Sequence, residues 1–266
     1  QPGIGNSPGA GDNAIPVGRN ALSVIGINGD NSEYGNGVKV AVIDSGVQEH
    51  ETFTGKEIKK FDFVVGQNGE ELPIDPDNGH GTAVASIIGG ADSRNPGVAP
   101  ASEMLSFRVL DNDGYTDSYT LAEAIVAATD SGADIINISL GSNGDSGLVR
   151  RAVEYSISEG ALIVAATGNE GIGSISFPAA IDGVVAVGAN DAVGQHVDFA
   201  NSGTNLENGG MSAPGFGVLA AWPQGEVVSF SGTSASAPFV SGAVAAVMSE
   251  NPGISASSAY ELLLTY

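Results

Sequence analysis

Five short runs rich in β-branched residues limit what this chain can fold into. Residues 38–43 (VKVAVI), 104–110, 134–140 (DIINISL), 161–167 and 184–189 are apolar, and each is short enough to be a single strand. The first is bounded by Gly37 on one side and by Asp44, Ser45 and Gly46 on the other. Strands of this kind carry apolar side chains on both faces and have to be covered on both. Stretches with helical spacing lie among them: 80–90, 119–131, 148–158, a long one from Ser234, and about 256–264. In residues 119–131, Leu121, Ala124, Ile125 and Ala128 fall at the i, i+3, i+4, i+7 positions of one helix face. Alternating strands and helices predict an α/β fold, a mostly parallel sheet with helices on both faces. Active sites of such sheets lie at the carboxyl ends of the strands. Asp44, the segment 139–141 and the pair Gly168 and Asn169 all fall at such ends.

Length and charge narrow the function. At 266 residues, with no break in composition, the chain reads as one domain over 14–266, preceded by a Gly/Pro-rich arm, 1–13, expected to be loosely attached. Thirty-nine glycines and 6% aromatic residues suit close helix-on-sheet packing. With no cysteine, the chain can form neither a disulfide nor a thiolate zinc site. The net charge of -22, from 9 Lys+Arg against 31 Asp+Glu, excludes nucleic acid and anionic membrane surfaces as natural partners. Solubility in salty or extracellular water and cation binding both fit the acidity, and solubility is the simpler reading. Residues 227–249 carry no charge, yet six serines, two glycines and a proline mark a buried helix rather than a membrane span. No basic, apolar leader opens the sequence, so Gln1 reads as a processed or trimmed end.

Within that uncharged run, Gly232, Thr233 and Ser234 precede a stretch of small and apolar residues. Glycine permits a sharp turn, and the free N–H groups of a helix start then point at whatever approaches the serine. Pro238 belongs near a helix start, where its missing donor is not needed. Taken alone, such a serine is an ordinary N-cap. Three further motifs have equally ordinary readings. Asp44 ends a strand in a turn-forming sequence, His80 stands between Gly79 and Gly81 at a helix start, and Asn169 follows a strand between Gly168 and Glu170.

Together these residues are no longer ordinary. Asp44, His80 and Ser234 occur in that order, each in a glycine-flanked motif (DSG, HGT, GTS), with Asn169 between the last two. From about Ala14 onward the chain resembles the subtilisin family of serine proteases (subtilases). That resemblance implies a subtilisin-like three-layer fold and a serine endopeptidase working through an acyl-enzyme. Asp44, His80 and Ser234 would be the triad, and Asn169 would donate to the oxyanion. Substrate would lie extended between Gly114, Tyr115, Thr116 on one side and Ser139, Leu140, Gly141 on the other. The side chain before the scissile bond would enter a pocket walled by Ser139–Gly141 and by Ala166, Thr167 and Gly168, with Ser176 near its floor and Glu170 at its rim. Those small and apolar walls imply a broad apolar preference, with Glu170, and further upstream Asp111 and Asp113, favouring some basic residues. His50 and His196 lie outside these motifs, which leaves too few ligands for a catalytic zinc.

The departures from the family pattern also carry expectations. Ala83 follows HGT where relatives commonly have a second histidine, and Ala235 follows the nucleophile in GTSASAP. Thr52 stands where many relatives place an aspartate ligand of a structural calcium, which argues against that site; the metal ligands remain unassigned. The stretch from Asp111 to Gly114 resembles a calcium loop but has its glycine at position 4 and Ala122 at position 12, which the EF-hand template does not allow. No cofactor is required for the chemistry. The expected partners are polypeptide substrates and a removed propeptide, and the expected enzyme is an exported monomer. Two rivals are a transpeptidase or macrocyclase using the same site and a catalytically silent peptide-binding pseudoprotease.

Overall fold

The computed structural model describes residues 9–11, 13–66, 70 and 72–265, so residues 1–8 and 12 of the expected arm lie outside the described residues. Seven strands form one parallel sheet: β1 (Lys39–Asp44), β2 (Ile58–Asp62), β3 (Glu103–Arg108), β4 (Ile135–Ile138), β5 (Leu162–Ala166), β6 (Val185–Asn190) and β7 (Met211–Pro214). Their spatial order is β2-β3-β1-β4-β5-β6-β7, and β8 (Val218–Trp222) and β9 (Glu226–Phe230) make a separate antiparallel hairpin. The helices are α1 (Ala21–Val24), α2 (His80–Gly89), α3 (Ser118–Asp130), α4 (Gly147–Ser158), α5 (Thr204–Glu207), α6 (Thr233–Glu250) and α7 (Ala256–Leu263).

Alternating strand residues feed two cores. Val40, Val42, Ile135 and Val164 face the layer of α2 and α6, whereas Ala41, Ile43, Ile136 and Ile163 face the layer of α3 and α4. Each strand is apolar on both sides because each side is covered. The chain leaves β1 toward β3 on one side and later returns to place β4 on the other. A crevice therefore opens outside the carboxyl ends of β1 and β4, where the strand order reverses. Asp44 closes β1 there and Ser139 follows β4.

The uncharged run is β9 plus α6. Every residue of α6 from Thr233 to Gly242 is buried, packed on the sheet, α2 and α7, so charge has no place in it. No helix among the described residues is long and apolar enough to cross a membrane. Two glycines close α2, and they do not form a left-handed cap, since Gly90 is extended at φ -61° and ψ 136°. They are small because space is short: a Cβ on Gly89 would lie 2.6 Å from Met104 Sδ, and one on Gly90 would lie 2.7 Å from Ser86 O. Helix α3 starts where Asp117 caps it, its carboxylate accepting the N–H groups of Tyr119 and Thr120 at 2.8 Å each.

Candidate active site

Asp44 and His80 are joined by a 2.7 Å hydrogen bond between Asp44 Oδ1 and His80 Nδ1, with side chains 1% and 8% exposed. Asp44 Oδ1 also accepts the Ser45 N–H at 2.7 Å, and Ser45 Oγ accepts the Gly81 N–H at 3.0 Å, which ties the start of α2 to the end of β1. A carboxylate only accepts, so in neutral His80 the Nδ1 carries the hydrogen and Nε2 is the free base. The glycines flanking His80 are demanded by close approach. A Cβ on Gly79 would fall 2.3 Å from Pro223 Cδ, and one on Gly81 would fall 2.4 Å from Gly46 O. On the ring's other side, Phe230 meets His80 edge-on at 5.2 Å between centroids.

His80, Asn169 and Ser234 line one cleft of about 660 Å³, and Asp44 sits buried behind His80. Ser234 is the second residue of α6. Its Oγ donates to the Ser139 carbonyl at 3.0 Å, so the hydroxyl rests toward β4 and has to turn toward His80 to react. Asn169 Oδ1 accepts from Thr233 N at 2.8 Å and from Thr233 Oγ1 at 3.1 Å. Because a backbone N–H can only donate, the atom facing Thr233 is the oxygen, which leaves Asn169 Nδ2 as a donor in the cleft that Ser234 also lines.

The remaining residues inferred from the sequence divide clearly. Gly114, Tyr115, Thr116, Ser139, Leu140, Gly141, Ala166, Gly168, Glu170 and Ser176 line the same cleft. Ser176 lies between the two glycine walls: its Cβ is 3.0 Å from where a Cβ on Gly141 would stand, and its Oγ is 2.5 Å from one on Gly168. Any larger residue at either glycine would fill this pocket. Thr167 is a correction. It is fully buried and does not line the cleft; its carbonyl instead accepts from Ser176 N at 2.9 Å and Asn201 Nδ2 at 3.2 Å. Adjacent residues at a strand end point to opposite faces, so only Ala166 and Gly168 reach the pocket.

Glu170 is not a freely solvated rim residue. Its Oε2 accepts from Asn201 Nδ2 at 2.6 Å and from Asn169 N at 3.1 Å, which folds the carboxylate toward Gly168. Buried Asn201 also accepts the N–H groups of Glu170 and Ile172, so it organises the whole turn. Sequence reasoning missed it because nothing near Asn201 in the chain marks it. It also missed Leu110, Leu121 and Val149, which give the cleft a second apolar stretch; Leu121 and Val149 read as core positions of helices. Asp111 is a loop builder, its Oδ1 accepting the N–H groups of Asp113 and Tyr115 at 3.0 and 2.8 Å.

At the position associated with calcium, Thr52 offers a hydroxyl that accepts the Asp92 N–H at 3.3 Å. The positive charge in this region is Arg94, which bonds Asp92 Oδ2 at 2.6 Å and also Glu51. Its guanidinium holds the Asp92 carboxyl down at about 2. Thr52, Asp92 and Glu51 are thus engaged with one another and with Arg94. Calcium chelation is accordingly expected to leave the melting temperature almost unchanged, whereas a drop of more than about 10 °C in calorimetry would reveal linked binding and overturn this expectation.

Comparison with known proteins decides the family. The family model described as "Subtilase family" matches residues 35–265. The chain belongs to the subtilase family. It is 36% identical over 224 residues to Subtilisin Savinase of Lederbergia lenta, covering 82% of this chain and 78% of that one. It is also 36% identical to an alkaline protease of Shouchella clausii, of whose length it spans 56%. Among solved structures, a mutant of the protease domain of PatA superposes with a TM-score of 0.80 at 32% identity, covering 89% of this chain and 90% of that one. As a subtilase, the chain is a serine endopeptidase.

Proposed function

We propose that Asp44, His80 and Ser234 are the catalytic triad of this subtilase and that it hydrolyses peptide bonds through an acyl-enzyme. The observation that carries this reading is the buried 2.7 Å bond from His80 to Asp44 at the wall of the cleft that Ser234 and Asn169 also line. Substrate entering the cleft displaces Ser234 Oγ from the Ser139 carbonyl. His80 Nε2 takes its proton as Oγ attacks the scissile carbonyl, and Asp44 stabilises the imidazolium. The developing oxyanion accepts from Asn169 Nδ2 and the Ser234 N–H. His80 then protonates the leaving amine, and water attacks the acyl-enzyme by the same route reversed. A fluorophosphonate is expected to label Ser234 stoichiometrically, and mass spectrometry of a cleaved peptide should show hydrolysed fragments. Label on another residue with activity retained would overturn the assignment, and ligated or cyclic products would point to transpeptidation.

The pocket between Gly141, Gly168 and Ser176 takes the side chain before the scissile bond, with Leu, Met, Phe or Tyr gaining about 1.5–3 kcal/mol on burial. The Glu170 carboxylate at its wall adds tolerance for Lys and Arg worth about 1 kcal/mol or less, because Glu170 remains an exposed residue. Peptides differing only at that position provide the test. Glu170→Gln should lower cleavage after Lys several-fold and spare Leu and Phe, whereas strict cleavage after paired basic residues in the wild type would refute the apolar preference. The net charge of -22 keeps such an enzyme dissolved outside the cell, where we place its action on polypeptides.

A further inference from the structure

Beneath the nucleophile runs a series of side-chain hydrogen bonds that the triad chemistry does not use. Ser241 Oγ donates to Asn137 Oδ1 at 2.9 Å, and Asn137 Nδ2 donates to Ser139 Oγ at 2.9 Å. Ser139 Oγ in turn donates to the carbonyl of Ser234 at 3.2 Å. All four residues are buried, and Asn137 and Ser241 are fully so.

Two features of the sequence make this series possible. A hydroxyl in a helix interior ordinarily returns to its own helix, as Thr129 Oγ1 does to Ile125 O at 2.9 Å and Ser131 Oγ does to Ala127 O at 2.7 Å at the end of α3. Ser241 lies inside α6 and instead crosses to β4. The second feature is Pro238. An N–H at that position would bond the carbonyl four residues back, which is that of Ser234. Proline has no N–H, so the Ser234 carbonyl is released and Ser139 takes it. Direction follows from chemistry. With its oxygen occupied by Ser241, Asn137 has only its amide hydrogens for Ser139, and Ser139 then has its own proton for Ser234.

We propose that Ser241 and Asn137 are positioning residues that act through Ser139 to fix the height of Ser234 above the end of β4. Ser139 is bound to the nucleophile twice, by its hydroxyl to the Ser234 carbonyl and by its carbonyl to Ser234 Oγ. It also belongs to the segment that walls the substrate cleft. A shift in the relay therefore moves the attacking oxygen relative to the bound carbonyl, and Ser241 and Asn137 can cause it without lining the cleft themselves. This inference rests on Ser234 being the nucleophile.

The test is a double-mutant cycle of Ser139→Ala and Ser241→Ala, with active-site titration to count competent molecules and thermal unfolding to monitor the fold. Misplacing a reacting group by about 1 Å can cost about 100-fold, so a partial loss is expected: about 5-fold in kcat for Ser241→Ala and about 10-fold for Ser139→Ala. KM of Ser241→Ala should stay within about two-fold, and kcat of the double variant should fall no further than that of Ser139→Ala, as for groups acting in series. The rate of fluorophosphonate labelling should fall in parallel with kcat. Wild-type kcat in Ser241→Ala, with or without a lower melting temperature, would make the network merely structural and overturn the proposal. Losses that multiply in the double variant would overturn it as well. A wild type that takes no label at Ser234 would overturn the protease reading and the relay with it.

Discussion

Replacing Ser234 by alanine is expected to lower kcat by about six orders of magnitude, the size of the loss in subtilisin itself. His80→Ala should cost about as much, and the double variant little more, because the hydroxyl and its base act as one unit. The geometry gives the reason. Ser234 Oγ now donates to a carbonyl, Ser139 O, which cannot take its proton away. His80 Nε2, left without a hydrogen because Nδ1 donates to Asp44, is the acceptor that can do so. Ser234→Ala removes no packing element, so its unfolding transition should stay close to wild type; His80→Ala takes away a buried ring that Phe230 meets edge-on and leaves the Asp44 carboxylate without its partner, so its transition should fall. Initial rates on a peptide substrate, with enzyme concentration set by titration, measure the loss. Ser234→Ala with more than about a thousandth of wild-type activity would place the nucleophile elsewhere, since removing a triad member leaves only the residual catalysis of binding and the oxyanion hole.

Asn169 should give the second largest effect. Asn169→Ala is expected to lower kcat by about 100- to 1000-fold with little change in KM, corresponding to about 2.7–4 kcal/mol of transition-state stabilisation; subtilisin is again the source of that magnitude. Asn169 has a second, structural task, since its oxygen holds Thr233 N and Thr233 Oγ1 at the mouth of α6. Asn169→Asp separates the two. A carboxylate keeps both contacts to Thr233 but replaces the donor with a negative charge where the oxyanion forms. A loss in Asn169→Asp as large as that in Asn169→Ala assigns the effect to the donor. Near-normal kcat in Asn169→Asp would mean that Asn169 serves only to cap the helix.

Much of this architecture is legible in the chain because the central strands are covered on both sides. Strands β1, β4, β5 and β6 are buried over nearly their whole length, and their runs of Val, Ile and Ala mark them. The edge strand β2 is not legible: Lys59 and Lys60 are exposed, and only pairing with β3 makes the segment a strand. The β8–β9 hairpin is hidden for a similar reason, since three of the five residues of β9 are exposed. In the site, motifs revealed the residues that carry local glycine signatures. Asn201 carries none, and it reaches Glu170 across 31 positions of chain. Ser241 and Asn137 lie 104 positions apart and meet only once α6 is laid on β4. Reading Ala166, Thr167 and Gly168 as one wall fails at Thr167, because adjacent residues at a strand end face opposite sides.

The sheet also divides the labour of the molecule. His80 and Ser234 stand on α2 and α6, which share one layer, while the loops at residues 111–117 and 141–146 lead into α3 and α4 on the opposite layer. Those loops wall much of the cleft without packing into the core that holds the reacting groups. A substitution in either loop can therefore alter what the cleft accepts without repacking the layer on which His80 and Ser234 stand.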